Sequence, residues 1–223
     1  MKKLLFVLAL FTALGASAQN MRLNAYALYA FDDAVDSYYS NTSYFDGKIK
    51  GGLLWGGGLE FMVHPEYGVE LTYLRMDTKA PVTYYSNQPP AGVKNNTFDL
   101  AINYAMIGGN RYKALGDVAE VFGGMQLGAA FVKATRPASG SLIGESSENA
   151  TKFAWAVRGG ANLFPGGKAS KVGIKLTLGL ISMVQGAGGG LYFGTGGAGA
   201  GISTYSSILQ FNMGGGLVFK FGK

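Results

Sequence analysis

The stretch VGIKLTLGL, residues 172–180, alternates strictly between large aliphatic side chains and small or polar ones. The aliphatic residues share one face and the residues between them share the other: Val172, Ile174, Leu176, Leu178 and Leu180 against Gly173, Lys175, Thr177 and Gly179. A period of two indicates a β-strand, because successive side chains of a strand point to opposite faces. One face of this strand is therefore apolar throughout, and the other holds a lysine among small residues.

Seven other segments follow the same alternation. The clearest cover residues 98–106, 153–163 and 209–221, and weaker ones cover roughly 22–31, 52–63, 68–77 and 118–133. In FDLAINYAM, residues 98–106, we predict that the aromatic and aliphatic positions face outward and that Asp99, Ala101, Asn103 and Ala105 face inward. The first segment is ambiguous in phase. Strands of about 9–11 residues have the length that a tilted strand needs to cross a bilayer.

The connections between these segments alternate in length. Short ones cover residues 64–68, 108–117 and 165–170, and long ones cover 32–51, 78–96, 134–151 and 185–205. Bacterial outer-membrane barrels show this alternation, with short turns on the periplasmic side and long loops outside.

The composition also indicates a membrane protein. The chain is 48% hydrophobic and only 14% charged, with 36 glycines in 223 residues, whereas average globular chains carry about 25% charged residues. A soluble barrel such as a lipocalin would bury its apolar faces and expose charge; here the apolar faces are broad, aromatic and almost uncharged. The sequence therefore predicts an all-β, eight-stranded antiparallel up-and-down transmembrane β-barrel with short periplasmic turns and long extracellular loops.

The N-terminal segment predicts export. Residues 1–18 combine Lys2 and Lys3, a short apolar run and the small residues Ala16, Ser17 and Ala18, as in a cleaved signal peptide. We predict a signal peptide over 1–18 and one barrel domain over 19–223. The chain has no cysteine, which excludes disulfides and thiolate metal sites. Its basic residues are scattered rather than clustered, which argues against a nucleic-acid partner.

The whole predicted barrel resembles the small eight-stranded outer-membrane barrels of the OmpX/OmpA-like superfamily, in the form common among Bacteroidetes. The resemblance rests on alternating strands, glycine-rich inner faces and the terminal aromatic segment GGGLVFKFGK. It implies a place in the cell outer membrane, in contact with its lipid and lipopolysaccharide. It also implies a C-terminal signal read by the outer-membrane assembly machinery at Gly215, Leu217, Phe219 and Phe221, although Gly222 and Lys223 depart from the usual ending.

Seven charged residues are predicted to face the lumen: Glu60, Glu70, Asp99, Glu120, Arg158, Lys175 and Lys220. Because a buried charge is costly unless it is paired and hydrogen-bonded, we expect them to form a network across the lumen. The network would fill the lumen and fix the strand register; an ion or proton path is the alternative. An eight-stranded barrel is only just wide enough for side chains, which favours the structural role.

Other candidate sites are weaker. His64, the only histidine, lies in a predicted short periplasmic turn, and no serine lies within five residues of it, which argues against Ser–His chemistry. Residues 32–48 hold Asp32, Asp33 and Asp36 beside several tyrosines, a pattern open to cation binding or protein contact. The glycine-rich stretch 186–201 lacks the phosphate-loop motif and predicts a mobile outer loop with an apolar tip. We predict no catalytic, cofactor or metal site.

The predicted function is therefore non-enzymatic: a barrel with a filled polar lumen that acts through its outer loops in envelope integrity, surface contact or adhesion. Two alternatives stay open. One is an accessory barrel of a larger outer-membrane machine for secretion, assembly or uptake, since Gly123, Ala129, Gly159 and Ala161 give the outer wall a run of small residues. The other is passage of small hydrophobic molecules, as in the OmpW-like relatives.

Overall fold

The computed structural model describes residues 20–39, 44–86, 92–136, 146–167, 169–184 and 207–222. The described residues form ten strands: β1 Met21–Ala30, β2 Asp33–Tyr39, β3 Tyr44–Ile49, β4 Gly52–His64, β5 Tyr67–Ser86, β6 Gly92–Leu115, β7 Ala119–Arg136, β8 Ser146–Leu163, β9 Val172–Val184 and β10 Ser207–Phe221. No helix in this part of the chain is long and apolar enough to cross a membrane.

Eight of the strands close into a ring in which all neighbours are antiparallel. The ring runs from β1 through β4, β5, β6, β7, β8 and β9 to β10, and β10 pairs with β1 from Phe221 opposite Met21 to Asn212 opposite Ala30. The predicted eight-stranded up-and-down barrel is therefore confirmed. The remaining strands, β2 and β3, form a hairpin inside the predicted loop 32–51, and β3 pairs with β5 at Gly47 opposite Val82.

Short turns join the strands at one end of the barrel, which we call the turn end. They comprise Pro65 and Glu66 between β4 and β5, residues 116–118 between β6 and β7, and the stretch after Leu163 that leads into β9. Gly116 and Gly167 have φ angles of 75° and 74°, a left-handed conformation that glycine adopts without strain. The opposite end, the loop end, carries the β2–β3 hairpin.

Strands extend into two of the predicted long loops. β5 and β6 stay paired as far as Ser86 opposite Gly92, within the predicted loop 78–96. β7 and β8 stay paired as far as Arg136 opposite Ser146, within the predicted loop 134–151. The predicted turn 108–117 is also shorter than expected, because β6 runs to Leu115. Where both faces of a strand are polar, hydrophobic alternation disappears, so the sequence pattern underestimates the strand length.

The outer wall is apolar over a broad belt. Exposed aromatic and aliphatic side chains line it on every strand of the ring, among them Leu23, Trp55, Tyr73, Ile107, Leu127, Phe153, Leu178 and Phe211. A soluble barrel would bury such a surface, whereas a barrel in lipid needs it. The belt is therefore the surface that faces the hydrocarbon of a bilayer.

The interior has two chemically different halves. The polar half, toward the turn end, includes Arg22, Asn24, Tyr26, Glu60, Glu70, Asn110, Tyr112, Gln126, Arg158, Asn162, Lys175 and Thr177. The apolar half, toward the loop end, includes Leu28, Leu54, Leu74, Met76, Phe98, Leu100, Ile102, Tyr104, Met106, Val132, Ala154, Ile181, Met183 and Ile208. Both sets come from strands all around the ring.

The apolar half overturns the predicted phase of β6. Leu100, Ile102 and Tyr104 were expected on the lipid-facing side, yet each is at most 2% exposed inside the barrel. The intervening Asp99 and Ala101 lie on the outer wall instead. The alternation predicted the strand correctly but assigned its two faces the wrong way round. The reason is that at this level both the lumen and the lipid accept apolar side chains.

Candidate functional site

Two carboxylates lie at the centre of the polar half. Glu60 on β4 and Glu70 on β5 are directly opposite each other in the strand register, and neither is exposed. Glycines make room for both of them. A Cβ at Gly58 would lie 1.8 Å from an oxygen of Glu70, and one at Gly68 would lie 2.4 Å from an oxygen of Glu60. Gly68, the last residue of the predicted turn 64–68, therefore makes room for a side chain of the lumen.

Glu70 is held by an arginine and by neutral donors. Nη2 of Arg158, from β8 across the lumen, forms a salt bridge to Oε2 of Glu70. The Tyr26 hydroxyl donates to Oε1 at 2.7 Å, and Asn110 Nδ2 donates to Oε2 at 2.9 Å. Arg158 also donates from Nη1 to the Tyr26 hydroxyl at 3.0 Å. A charge-assisted pair with added hydrogen bonds is the arrangement that a buried carboxylate requires.

Glu60 receives its hydrogen bonds from β6. The Tyr112 hydroxyl lies 2.9 and 2.8 Å from its two oxygens, and Asn110 Nδ2 donates to Oε1 at 2.7 Å. Asn110 thus bridges the two carboxylates, and Asn24 Nδ2 does so from the β1 side at 3.4 and 3.0 Å. These amides separate two like charges that would otherwise repel each other directly.

Lys175 adds a second buried cation from β9. Its ammonium donates to Asn24 Oδ1 at 3.3 Å and to the Tyr112 hydroxyl at 3.5 Å, and it lies 4.2 Å from the centroid of the Phe122 ring. The aromatic face contributes a cation–π contact in a site closed to water. With Arg158 and the two carboxylates, the core of the network contains two cations and two anions.

A second ion pair lies near the rim at the turn end. Arg22 Nη1 contacts Glu120 Oε1 at 2.5 Å, its guanidinium covers the Tyr112 ring at 4.4 Å, and Asn162 Nδ2 donates to the same Glu120 oxygen at 2.8 Å. Lys220 lies close by, with Nζ 3.4 Å from the centroid of the Phe164 ring. The pair therefore closes the polar half on the side of the short turns.

The seven predicted lumen charges thus divide into three groups. Glu60, Glu70, Arg158 and Lys175 are buried together, whereas Glu120 and Lys220 lie partly exposed at the turn-end rim. The prediction for Asp99 is wrong: it lies on the outer wall, its side chain is 52% exposed, and its carboxylate is 3.5 Å from Lys79 Nζ. Its misplacement follows from the inverted phase of β6.

Sequence reasoning missed five members of the network. They are Arg22, Asn24 and Tyr26 on β1, where the phase was ambiguous, and Asn110 and Tyr112 on β6, which were assigned to a turn. One sequence feature could have identified Asn110 and Tyr112. By the two-residue period they share a face of β6 with Leu100 to Met106, and polar residues on that face indicate that it points into the lumen rather than to lipid.

The apolar half seals the polar half from the loop end. Ile102 and Met76 are fully buried there, beside Tyr104 at 1% exposure. The cavity where the two halves meet measures about 20 Å³ and is bordered by Gln126, Arg158 and Thr177 among others. A space of this size holds about one water molecule. The described side chains thus leave room for about one water molecule at this point, where the two halves meet.

The other predicted sites lie away from the lumen. His64 ends β4 on the exposed surface of the turn end, where its Nδ1 accepts a hydrogen bond from the Glu66 N–H at 3.2 Å. No group of three or more His, Cys, Asp or Glu side chains in the described ranges is placed to hold a metal ion. The Asp36 side chain, the glycine-rich stretch 186–201 and the predicted signal peptide 1–18 lie outside what the structure describes.

Asp32 and Asp33 anchor the β2–β3 hairpin on the rim of the loop end. Asp32 Oδ1 accepts the Gly51 N–H at 2.7 Å, and its other oxygen lies 3.2 Å from Lys48 Nζ. Asp33 Oδ2 accepts the Leu209 N–H of β10 at 2.7 Å. The Gly51 hydrogen bond, followed by the Lys48 ammonium, lowers the pKa of Asp32. These aspartates thus have a structural role at the base of the hairpin.

Two predicted features of the outer wall lie where the alternation places them. Gly215, Leu217, Phe219 and Phe221 all lie on the outward side of β10, the strand that closes the ring onto β1. Gly123 and Gly159 face each other across β7 and β8 on the outside, and a Cβ at Gly123 would meet no atom within 4 Å. Assembly signalling and barrel docking stay predictions for these residues.

Comparison with known proteins gives structural relatives only. No protein-family model matches the chain, and no curated protein matches it. The outer membrane protein OprG from Pseudomonas aeruginosa is 11% identical with a TM-score of 0.51, over 93% of this chain and 98% of OprG. The outer membrane protease OmpT from Escherichia coli is 10% identical with a TM-score of 0.53, over 92% and 98% of the two chains. The fold is that of the outer-membrane β-barrels.

Proposed function

We propose that this protein is a non-enzymatic outer-membrane barrel with a closed lumen, which acts in surface contact, adhesion or envelope integrity. We place the turn end on the periplasmic side of the outer membrane and the loop end on the cell surface, because short turns are periplasmic and long loops are external in such barrels. The apolar belt supports the membrane location, since every strand of the ring presents apolar side chains outward. In this function the barrel anchors the protein in the membrane, and the loop end contacts molecules outside the cell.

The observation that carries the proposal is the filling of the lumen by two successive layers. Ion pairs and amide bridges occupy the polar half, and close-packed apolar side chains occupy the apolar half. Conduction needs a continuous polar path, and an apolar layer that excludes water raises a large barrier to ions. A barrel filled in this way functions through its outer surfaces and not as a pore.

The loop end provides the contact surface in this proposal. β5 and β6, with 20 and 24 residues, extend past the apolar belt as a paired ribbon. The β2–β3 hairpin stands beside this ribbon and is tied to the barrel by the Asp32 and Asp33 hydrogen bonds. Strand ribbons hold a contact surface in place at lower entropic cost than open loops do.

The placement of reactive groups supports a non-enzymatic role. The carboxylates of Glu60 and Glu70 are fully buried and are hydrogen-bonded to other side chains of the lumen. The imidazole of His64 lies at the turn end, on the opposite side of the membrane from the contact surface. In this proposal the charged groups of the lumen therefore stabilise the barrel.

The closed lumen can be tested by electrical recording. The refolded protein is inserted into planar bilayers in 1 M KCl, with a porin as positive control. We expect no discrete conductance steps from the wild-type barrel. Stable steps of uniform size would contradict the closed lumen, whereas failure to insert, seen by vesicle flotation, would contradict the membrane location itself.

The apolar half favours one second candidate, the passage of small hydrophobic molecules. Leu54, Ile102 and Ile181 line the loop end of the lumen with hydrocarbon, which suits an apolar guest better than an ion. Such passage would require these side chains to separate. Uptake of a fluorescent apolar dye into vesicles that contain the barrel would support this candidate, and uptake equal to that of empty vesicles would refute it.

The accessory-barrel role also has an observation in its favour. Around Gly123 and Gly159 the wall lacks side chains, so another barrel could approach its backbone closely. Extraction in mild detergent tests this role: a stoichiometric membrane partner that is lost in Gly123→Leu would support it, and a monomeric wild-type barrel would contradict it.

A further inference from the structure

A basic groove lies on the outer wall where the apolar belt ends. It has a volume of about 620 Å³ and is lined by Lys50, Arg75, Asp77, Lys79, Asp99 and Lys133, among others. Its floor is formed by Ala101 on β6, which the register places between Asp77 on β5 and Lys133 on β7. The groove exists because this small residue separates long charged side chains on the flanking strands.

The groove lies at the level of lipid headgroups. On β5 the outward residues Val69, Leu71 and Tyr73 belong to the apolar belt, and the next outward positions are Arg75, Asp77 and Lys79. Tyr73 marks the boundary, with its hydroxyl donating to Asn103 at 2.7 Å. Aromatic side chains flank the apolar band of membrane barrels at both interfaces. The groove therefore opens into the polar zone of the outer leaflet.

The charge of the groove suits an anion. Both of its acids are already paired, Asp77 with Arg75 through 2.9 and 2.8 Å contacts and Asp99 with Lys79 at 3.5 Å. Lys50 and Lys133 form no salt bridge with the described residues, although the Lys50 ammonium contributes to the lowered pKa of Asp32. The four cations that line the groove outnumber its two acids, and phosphate is a strong acceptor for lysine ammonium groups.

A second groove lies on the same strands, β5 to β7, nearer the turn end. It measures about 520 Å³ and is lined by apolar atoms of Leu59, Leu71, Ile107 and Leu127, with Gly57 and Ala105 among them. Gly57, Tyr73 and Ala105 are neighbours in one row of the register, and the missing side chains at two of these positions form the hollow. A straight hydrocarbon chain fits such a depression in the belt.

From these two grooves we propose that β4 to β7 form a binding site for one phosphorylated lipid of the outer leaflet. The phosphate lies between Lys50 and Lys133, and an acyl chain lies against Ala105. Lipid is favoured over free phosphate because the basic and the apolar grooves lie on the same strands, one above the other. The inference rests on the proposed membrane location and orientation, and it assigns a ligand to a wall that would otherwise only contact bulk lipid.

The test is native mass spectrometry of the delipidated full barrel in nonionic detergent. The probes are dioleoyl phosphatidic acid, dioleoyl phosphatidylcholine and soluble glycerol phosphate. We expect the first phosphatidic acid to bind at least about tenfold more tightly than phosphatidylcholine, because its phosphomonoester carries more negative charge than a phosphodiester and has no choline cation to oppose the lysines. Glycerol phosphate in large excess should not displace it, since the acyl contact is missing.

Variants locate the site. The double variant Lys50→Gln/Lys133→Gln should remove the preference for phosphatidic acid, and Ala105→Phe should lower binding of the same lipid by filling the apolar groove. Lys113→Gln is the matched control, because it removes an exposed charge from the outside of β6 near the turn end. Circular dichroism verifies that each variant is folded.

Three outcomes would overturn the site: equal binding of the two lipids, an unchanged preference in the double variant, or an equal loss in Lys113→Gln. Displacement by glycerol phosphate would replace the lipid with a soluble anion. The failure of the membrane location would look different, because the barrel would then retain neither lipid and would not float with vesicles.

Discussion

The polar and apolar halves of the lumen fill the same cylinder by different physical means. In the polar half, Arg158 reaches from β8 to Glu70 on β5, and Asn110 bridges two carboxylates, so each group depends on named partners. In the apolar half, Ile102 and Met76 pack among other apolar side chains, and their contribution to stability depends on side-chain volume and shape rather than on specific partners. The first half therefore specifies which strands adjoin, and the second excludes water.

Loss of one network partner should have the largest effect. Arg158→Met leaves the Glu70 carboxylate buried without its cation, and we expect a loss of about 3–5 kcal/mol in the free energy of unfolding. Urea unfolding of the barrel in lipid vesicles, followed by tryptophan fluorescence, measures it.

The control for this prediction is the neutral double variant Arg158→Met/Glu70→Gln, which should recover part of the loss because no charge then remains unpaired. If Arg158→Met lowered the free energy of unfolding by less than about 1 kcal/mol, the ion pair would be as weak as an exposed surface pair, which would contradict the prediction.

Truncation in the apolar half should cost less and should depend on the face of the strand. Ile102→Ala creates a cavity inside the barrel and should cost about 3 kcal/mol. Ile107→Ala, on the lipid-facing side of the same strand at 53% exposure, should cost much less, because lipid fills the space. The same urea assay compares the two, and equal costs would contradict the assigned faces of β6.

Glycine substitution tests how closely the network is fitted. Gly58→Ala would place a methyl group against the Glu70 carboxylate, and we expect overpacking to cost about 2 kcal/mol. Gly123→Ala on the outer wall, where a Cβ meets nothing within 4 Å, is the control and should be near neutral. If both variants unfolded at the same urea concentration, the tight fit around Glu70 would be wrong.

The smallest effect is expected outside both halves, at the rim of the loop end. Because the pKa of Asp32 is lowered in the folded barrel, its contribution is present above the unfolded pKa and is lost as the pH falls through the folded value. The protection of the Gly51 amide against hydrogen exchange, relative to an unstructured amide at the same pH, should fall selectively in that acidic range. In Asp32→Ala this protection should be absent at neutral pH too, whereas unchanged exchange would exclude the anchor.

The fold could be predicted from the sequence because lipid-facing and lumen-facing residues alternate along every strand of a membrane barrel, which gives the sequence a two-residue period. The stretch 172–180 pairs an apolar face with Lys175, and the structure places that lysine in the lumen as expected. The phase of β6 could not be predicted from residues 98–106 alone, since Leu100 and Ile102 suit an apolar lumen and a bilayer equally well. The strand register, a long-range property, decides between the two environments, and Asn110 and Tyr112 further along the strand agree with it.

The candidate site was predicted in part for the same reason. Charged residues on inward faces, such as Glu60 and Arg158, are conspicuous in an apolar chain. The neutral donor Asn24 has no such distinguishing feature, because amide groups occur on both faces of strands. Asn110 and Tyr112 could have been placed inward from the two-residue period of β6, but their hydrogen-bond partners depend on which strands meet across the lumen, which no local pattern shows.

A cysteine scan along β6 tests the two-layered interior most directly. The natural chain has no cysteine, so single substitutions at residues 98–102 can be probed with a membrane-permeant maleimide in vesicles. Our account predicts slow labelling at 98, 100 and 102, inside the barrel, and fast labelling at 99 and 101, on the outer wall at headgroup level, where the thiolate can form. Fast labelling at 98, 100 and 102 with protection at 99 and 101 would contradict the apolar half, and with it the closed lumen.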